Sequence, residues 1–249
     1  MKLTVIGFWG AYPGLNEATS AYLIESGKSK VLLDCGSGTV SRLQKHINLA
    51  DLDAVVLSHY HHDHIADIGV MQYSRVVDMN LEHTNQPLYI YGHGEDQQSF
   101  QSLGKDPFAK RIQYDPNQML TIGNLSFTFH KTIHPAPCYA MKITDENGKS
   151  IVYTGDTSYD ETLIPFINEA DLLIAETSFY KGQSANSYGH MNSVEAATLA
   201  HEGNVKSFII SHLPHFGQHE QLVKEARTVY DGDIHLASSD LKWEVGTQG

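Results

Sequence analysis

The segment SHYHHDHIAD, residues 58–67, places four histidines and two aspartates in one short stretch. It follows the apolar run AVVL, which is typical of a buried strand. Residues two apart in an extended strand end point the same way, so His59 and His61 can present two imidazoles to one metal ion. Asp63 and His64 are neighbours, and they can aim at a common point only where the strand turns into a helix. The segment therefore predicts two metal ions close together.

Other strand-like runs also end in side chains that can bind or orient a metal. They are VLLDCGSG at Asp34, IVYTGDTS at Asp156, LLIAETSF at Glu176 and FIISHLPH at His212. Strand ends are where α/β sheets build their ligand sites. Both halves of the chain show this layout, so we expect two related β-α halves that build one site.

The elements that must position these side chains alternate between short β-branched runs and helical patterns. Strands are predicted at residues 2–7, 21–25, 30–34, 53–57, 88–91, 112–114, 124–131, 138–144, 150–154, 171–175, 207–211 and 234–237. Helices are predicted at residues 38–47, 65–79, 95–103, 160–168, 192–202 and 218–230. The Asn-Gly pair in DENGK, residues 145–149, predicts a hairpin turn, and NSVE predicts an Asn or Ser cap for the helix at 192.

Composition limits the classes of function. The 249-residue chain is 41% hydrophobic and 18% charged, which indicates a globular protein, and we predict one domain over residues 1–249. The net charge of −12 argues against a large nucleic-acid surface, because binding many phosphates requires a basic stripe. The first residues, MKLTVIGFWG, match neither a signal peptide nor a membrane span, so a cytoplasmic protein is expected. Cys35 and Cys138 are predicted to be reduced thiols.

Several motifs along nearly the whole chain carry a family resemblance. They are LLDCGSGT at 32–39, SHYHHDH at 58–64, IHPAPCY at 133–139, YTGDTS at 153–158 and ISHLPH at 210–215. In these motifs the sequence resembles the metallo-β-lactamase superfamily, and within it the branch of ribonuclease Z and related phosphodiesterases. The resemblance implies an α/β fold of the four-layer αββα sandwich type. The metal-binding β-lactamases carry cysteine near the place of Asp156, so this aspartate favours the hydrolase and phosphodiesterase side of the superfamily.

The resemblance also implies a set of metal ligands. Residues matching His59, His61 and His134 bind one zinc in the family. Those matching Asp63, His64 and His212 bind the other zinc, and Asp156 would bridge both. Asp34 would support the site without binding metal itself. Imidazole and carboxylate donors without thiolate suit zinc best, although manganese or iron would accept the same donors.

Two further matches imply catalytic residues. AETSF at 175–179 and YGHMNSVEAA at 188–197 look like two segments of ribonuclease Z. By this resemblance Glu176 holds the imidazole of His190, and His190 contacts the scissile phosphate or protonates the leaving oxygen. The expected mechanism is two-metal hydrolysis of a phosphodiester, with attack near Asp63 and Asp156.

The sequence also departs from ribonuclease Z. His62 stands where that family commonly has glycine, and we expect it to point away from the metals. AETSF lacks the histidine that precedes Glu in the family. The chain between His134 and Asp156 is too short for the arm with which ribonuclease Z grips transfer RNA. A small or nucleic-acid-derived phosphodiester is therefore the expected substrate.

Two alternatives stay open at this point. The same metal core could hydrolyse a thioester or a lactone, and absence of a Glu176–His190 pairing would favour that reading. A metal-loaded sensor without turnover is the other alternative. A homodimer is expected as the commonest oligomer.

Overall fold

The computed structural model describes residues 1–245, and residues 246–249, the end of the predicted domain, lie outside the described residues. The chain divides into two compact units. The first comprises Met1–Asp115, Ile122–Asn124 and the chain from Ser239, and the second comprises Pro116–Thr121 and Leu125–Ser238. The single domain predicted over residues 1–249 stays a prediction.

Each unit is built on a seven-stranded mixed sheet. In chain order the strands are β1 Lys2–Gly7, β2 Ala21–Ser26, β3 Ser29–Leu33, β4 Ala54–Val56, β5 Leu88–Gly92, β6 Ala109–Gln113, β7 Leu120–Ile122, β8 Leu125–Lys131, β9 Tyr139–Asp145, β10 Ser150–Tyr153, β11 Leu172–Glu176, β12 Ser207–Ser211, β13 Asp233–Leu236 and β14 Lys242–Glu244. The helices are α1 Thr39–Leu43, α2 His62–Ile65, α3 Ile68–Asn80, α4 Gln97–Ser102, α5 Leu163–Ile167, α6 Ser193–Glu202 and α7 His219–Ala226. Short 3₁₀ turns lie at Leu49–Asp51 and Asn186–Tyr188.

The sheet of the first unit has the order β14-β1-β2-β3-β4-β5-β6. Strands β1, β2 and β3 pair antiparallel, and β3 to β6 pair parallel. Apolar side chains of these strands pack with Leu43 of α1, Met71 of α3 and Phe100 of α4 in one core cluster. Burial of these side chains removes apolar area from water, which is the main force that fixes the helices on the sheet.

The sheet of the second unit has the order β13-β12-β11-β10-β9-β8-β7. Strands β8, β9 and β10 pair antiparallel, and β10 to β13 pair parallel. The predicted hairpin between β9 and β10 is confirmed, with Gly148 at φ 74° and the Asp145 carboxylate accepting from the backbone N–H groups of Asn147 and Lys149. Both units thus run from antiparallel to parallel strands in the same sequence order, which confirms the repeated layout.

The predicted helix at 65–79 is wrong as a single element, because the chain forms α2 and α3 with a break at Asp67. The Asp67 backbone N–H donates to the Cys35 carbonyl at 3.1 Å, and its carboxylate accepts from the Val40 backbone N–H at 2.9 Å. These tertiary bonds replace the helical bond that a continuous helix would need there.

Within residues 1–245, none of the helices combines the length and the apolar character that a bilayer crossing requires. The predicted cytoplasmic location stays a prediction. Cys35 and Cys138 are buried and are not joined in a disulfide, as predicted.

Candidate metal centre

Asp34 organises the histidine segment of the first unit. It follows β3 in a left-handed conformation, φ 55°, and is fully buried. Its Oδ1 accepts from the Ser58 backbone N–H at 2.7 Å, and its Oδ2 accepts from the Ser58 hydroxyl at 2.8 Å. The same Oδ2 lies 2.7 Å from Nδ1 of His64. One carboxylate therefore fixes both the start of the segment and one of its imidazoles.

Ser58 extends this control to His59. Nδ1 of His59 lies 3.0 Å from the Ser58 Oγ. Because the Ser58 hydroxyl donates to Asp34, its oxygen accepts from the Nδ1–H of His59. His59 and His64 both carry the proton on Nδ1, so each offers the lone pair of Nε2 as a metal ligand.

The predicted change from strand end to helix after His59 and His61 is confirmed. Their ring centroids are 4.7 Å apart, and α2 begins directly after His61. Nε2 of His64 lies 3.7 Å from Oδ2 of Asp63. The turn presses against Gly36, where a Cβ would lie 2.1 Å from the Asp63 carbonyl oxygen, so this position requires glycine.

His62 is exposed and lies in the first turn of α2. It does not belong to any of the groups of side chains that could hold a metal among the described residues.

Asp156 is the central carboxylate of the second unit. It follows β10 and is buried, and its Oδ1 lies 3.5 Å from Nε2 of His212, which follows β12. Its ligand oxygen also lies within 4.8 Å of a ring nitrogen of His134. Nδ1 of His134 is 3.0 Å from the Gly189 carbonyl oxygen, again leaving Nε2 as the ligand atom. Gly189 has φ 79°, and a Cβ there would lie 2.7 Å from Nδ1 of His134.

Glu176 ends β11 and plays the organising role in this unit. Its Oε1 lies 2.9 Å from Nδ1 of His190, and its Oε2 accepts from the Ser178 hydroxyl at 3.0 Å. The Ser178 Oγ lies 2.8 Å from Nδ1 of His212. Glu176 is 1% exposed, so these bonds form in a low-dielectric interior where they are strong. The carboxylate thus holds one imidazole directly and a second through a serine.

These residues fit divalent metal ions. His59, His64, His134 and His212 all have Nδ1 tied to a hydroxyl, carboxylate or carbonyl oxygen. Metal-binding histidines typically have this arrangement, which fixes the tautomer and aims Nε2 at the ion. Burial, with the charges of Asp67 and Asp34, raises the pKa of the Cys35 thiol, so this cysteine is not a ready thiolate ligand.

Sequence reasoning missed Ser58 and Ser178. Each is the hydroxyl that joins a buried carboxylate to a ligand imidazole. The available signal was position, because Ser58 directly precedes His59 and Ser178 stands two residues after Glu176.

The chain is similar to known proteins over almost all of its length. A family model described as metallo-beta-lactamase superfamily matches residues 15–203. The probable metallo-hydrolase YhfI of Bacillus subtilis is 50% identical over 244 residues, covering 98% of this chain and 100% of that protein. A crystal structure of the metallo-beta-lactamase fold protein YhfI from Bacillus subtilis matches with a TM-score of 0.96 and 49% identity, over 97% of this chain and 98% of that chain. A ribonuclease Z of Metallosphaera sedula is 23% identical over 284 residues, covering 92% of this chain and 94% of that protein.

Proposed function

Because the chain belongs to the metallo-β-lactamase superfamily, we propose that it is a dinuclear metal-dependent phosphodiesterase acting on a small or nucleic-acid-derived phosphodiester. The predicted α/β fold class, the four-layer αββα sandwich of this family, is confirmed. Metal-dependent hydrolysis itself follows from the family and from the groups of His and Asp side chains in this chain that could hold a metal.

The proposed ligands are those predicted from the sequence. His59, His61 and His134 would hold one ion; Asp63, His64 and His212 would hold the other, and Asp156 would bridge the two. The Nδ1 bonds described above support this assignment for His59, His64, His134 and His212. Zinc is the proposed metal because the donors are imidazole and carboxylate, and manganese and iron are the alternatives for metal analysis.

The observation that carries the phosphodiesterase proposal is the contact between Glu176 and His190. With Nδ1–H of His190 donated to Glu176 Oε1 at 2.9 Å, Nε2 is the atom that can exchange a proton with substrate. The His190 ring is also stacked on that of His212, with centroids 5.4 Å apart, so it lies beside a proposed metal ligand. Departure of an alkoxide requires a proton, and a histidine in this position supplies it.

The remaining steps use residues that orient the reactants. When bound, the two ions would supply Lewis-acid stabilisation of the charge that builds on the phosphate oxygens and would promote ionisation of a water. Asp63 is oriented by the Ala11 backbone N–H, which donates to its Oδ2 at 2.9 Å. We propose that Asp63 and Asp156 place the attacking water in line with the phosphorus, and that His190 Nε2 protonates the leaving oxygen.

A substrate panel on metal-quantified protein tests this proposal. The panel contains bis-p-nitrophenyl phosphate, an aryl thioester and a lactone, each assayed with zinc and with manganese. The expected result is a kcat/KM for the phosphodiester that exceeds the values for both other classes. A faster thioester or lactone reaction would favour the alternative hydrolase, and no turnover of any class would favour the metal-loaded sensor.

The predicted homodimer stays a prediction. Sedimentation velocity of the purified protein measures it directly, and a single species at the monomer mass would contradict it.

A further inference from the structure

Four aromatic side chains of the second unit form a connected cluster beside His190. We call Phe179, Tyr180, Tyr188 and Phe216 the aromatic platform. Phe179 is stacked on Tyr188, with centroids 5.8 Å apart and an interplanar angle of 17°, and it meets Phe216 edge-on at 6.4 Å. Tyr180 packs on Phe216 at 5.7 Å.

The platform is open to solvent on its outer rings. Tyr188 is 63% exposed and Phe216 is 47% exposed, whereas Phe179 between them is half-buried. Large exposed rings that group together mark a binding surface. A ligand that covers them removes apolar area from water, and this favours binding.

The backbone holds the inner ring of the platform in place. The Phe179 N–H donates to the Met191 carbonyl at 3.2 Å, and the Ser193 N–H donates to the Phe179 carbonyl at 3.0 Å. These bonds clamp Phe179 to the segment that carries His190.

Phe216 is held in a similar way. The Tyr180 hydroxyl donates to the Phe216 carbonyl at 3.0 Å. Gly217 has φ 79°, and a Cβ there would lie 2.4 Å from the Tyr180 ring. Side chains that are already held in place before substrate arrives lose less conformational entropy on binding.

The platform leads directly to the proposed proton donor. The Phe179 ring centroid lies 6.3 Å from that of His190, whose Nδ1 is bound to Glu176. A group stacked on the platform therefore lies beside His190.

We propose that the aromatic platform is a nucleobase subsite, so that the substrate is a nucleoside phosphodiester; this rests on the function proposed above. Bases stack on exposed aromatic rings because each base presents a flat π face, and this contact accepts any base. The net charge of −12 opposes a long polyanion, so the subsite serves one or two nucleotides.

Two esters with the same leaving group test the subsite. Thymidine 5′-(p-nitrophenyl phosphate) carries a base, and methyl p-nitrophenyl phosphate does not. The quantity measured is the ratio of kcat/KM for the first ester to that for the second. Tyr188→Ala should lower this ratio by roughly 5- to 150-fold, the range expected for loss of one stacking contact, mainly through KM of the thymidine ester. Tyr188→Phe keeps the flat ring and should restore the ratio.

Tyr73→Ala is the matched control. Tyr73 lies on α3 and is 61% exposed, close to the exposure of Tyr188, and it should leave the ratio unchanged. Calorimetric titration with adenosine 5′-monophosphate adds a readout without turnover, in which Tyr188→Ala should weaken binding by a similar factor and Tyr73→Ala should not.

The possible outcomes separate the two proposals. Wild-type hydrolysis of both esters with a ratio that Tyr188→Ala does not change would overturn the nucleobase subsite and leave the phosphodiesterase intact. Equal loss of kcat on both esters would show that Tyr188 supports catalysis without recognising the base, which also overturns it. Hydrolysis of neither ester by metal-loaded wild type would contradict the phosphodiesterase and the subsite together.

Discussion

Two buried carboxylates, Asp34 and Glu176, orient imidazoles of the candidate centre through the same pattern of hydrogen bonds. Each accepts from one histidine directly and from a second through a serine hydroxyl. A carboxylate without these donors would be costly to bury, because a desolvated charge must be fully hydrogen-bonded. The same bonds fix the tautomers of His59, His64, His190 and His212, so the cost of burying the charge is linked to function.

The first prediction is that His190 donates a proton to the leaving group. His190→Ala should keep the metal content, because His190 is not among the proposed ligands, while kcat should fall by roughly 10² to 10⁴, the usual effect of losing a general acid. The loss should be small for p-nitrophenolate esters, which need little protonation, and large for alkoxide leaving groups. Steady-state kinetics on both ester classes, with elemental analysis of each sample, measures this, and equal losses on both classes would exclude proton donation.

Ser178 allows the two functions of Glu176 to be separated. Ser178→Ala removes the hydroxyl between Glu176 and His212 but leaves the Glu176–His190 contact. Metal affinity should fall by about 10- to 100-fold, as is usual when a ligand histidine loses its outer partner, while the dependence of kcat on the leaving group should not change. Competition with a chromophoric chelator measures the affinity. Ser187→Ala, at an exposed serine, is the control, and an unaltered affinity in Ser178→Ala would contradict the arrangement.

The sequence predicted the candidate metal ligands better than the residues that hydrogen-bond to those ligands. The spacing of His59, His61, Asp63 and His64 after an apolar strand restricts their geometry enough to predict a metal group. Ser58 and Ser178 could not be assigned in this way, because serine is common at strand ends and only the folded contacts distinguish these two.

At the scale of elements, parallel strands bring the site residues to strand ends, and single polar side chains tie those strands together. Asp171, just before β11, accepts from the Ser150 backbone N–H at 2.9 Å and from Lys206 Nζ at 2.8 Å. It therefore links the starts of β10, β11 and β12, whose far ends carry Asp156, Glu176 and His212.

Asp171 should make stability depend on pH. Burial alone would raise the pKa of this carboxyl, but hydrogen bonds from Lys206 and Ser150 and the nearby Lys charges outweigh it and hold the pKa below the ordinary 3.8. A depressed pKa stabilises the fold above the unfolded-state value, and this contribution is lost as the pH falls through the folded-state pKa. Asp171→Asn should therefore cost about 1–3 kcal/mol at pH 7 and progressively less below about pH 4.

Urea unfolding at several pH values measures this difference. Glu146→Gln in the exposed β9–β10 turn is the control and should change the free energy of unfolding little. A cost for Asp171→Asn that stays constant from pH 7 to the acid limit would contradict a role for the ionised carboxylate.

Local signals predicted elements where they were strong and failed where tertiary contacts decide. Asn192 caps α6 with Glu195 in a capping box, as NSVE predicts. The break between α2 and α3 was missed, because it depends on bonds from Asp67 to the distant Cys35 and Val40. Strands β7 and β14 were also missed, since three-residue segments carry too little periodicity to be distinguished from loops.

At the scale of the whole molecule, charge limits the partners. The net charge of −12 and the short chain between His134 and Asp156 both argue against transfer RNA as substrate. Precursor tRNA should bind weakly and with a strong salt dependence, because scattered lysines cannot displace many counterions together. Filter binding over a salt series measures this, and nanomolar affinity at physiological salt with accurate 3′ trimming would contradict it.

Metal titration of metal-free protein is the most direct test of a dinuclear hydrolytic centre. Elemental analysis and bis-p-nitrophenyl phosphate hydrolysis are followed in the same samples as zinc or manganese is added. Activity should rise until close to two ions are bound per chain, and His212→Ala should lower the bound metal. Full activity at one ion per chain, or two bound ions that His59→Ala and His212→Ala both leave in place, would contradict it.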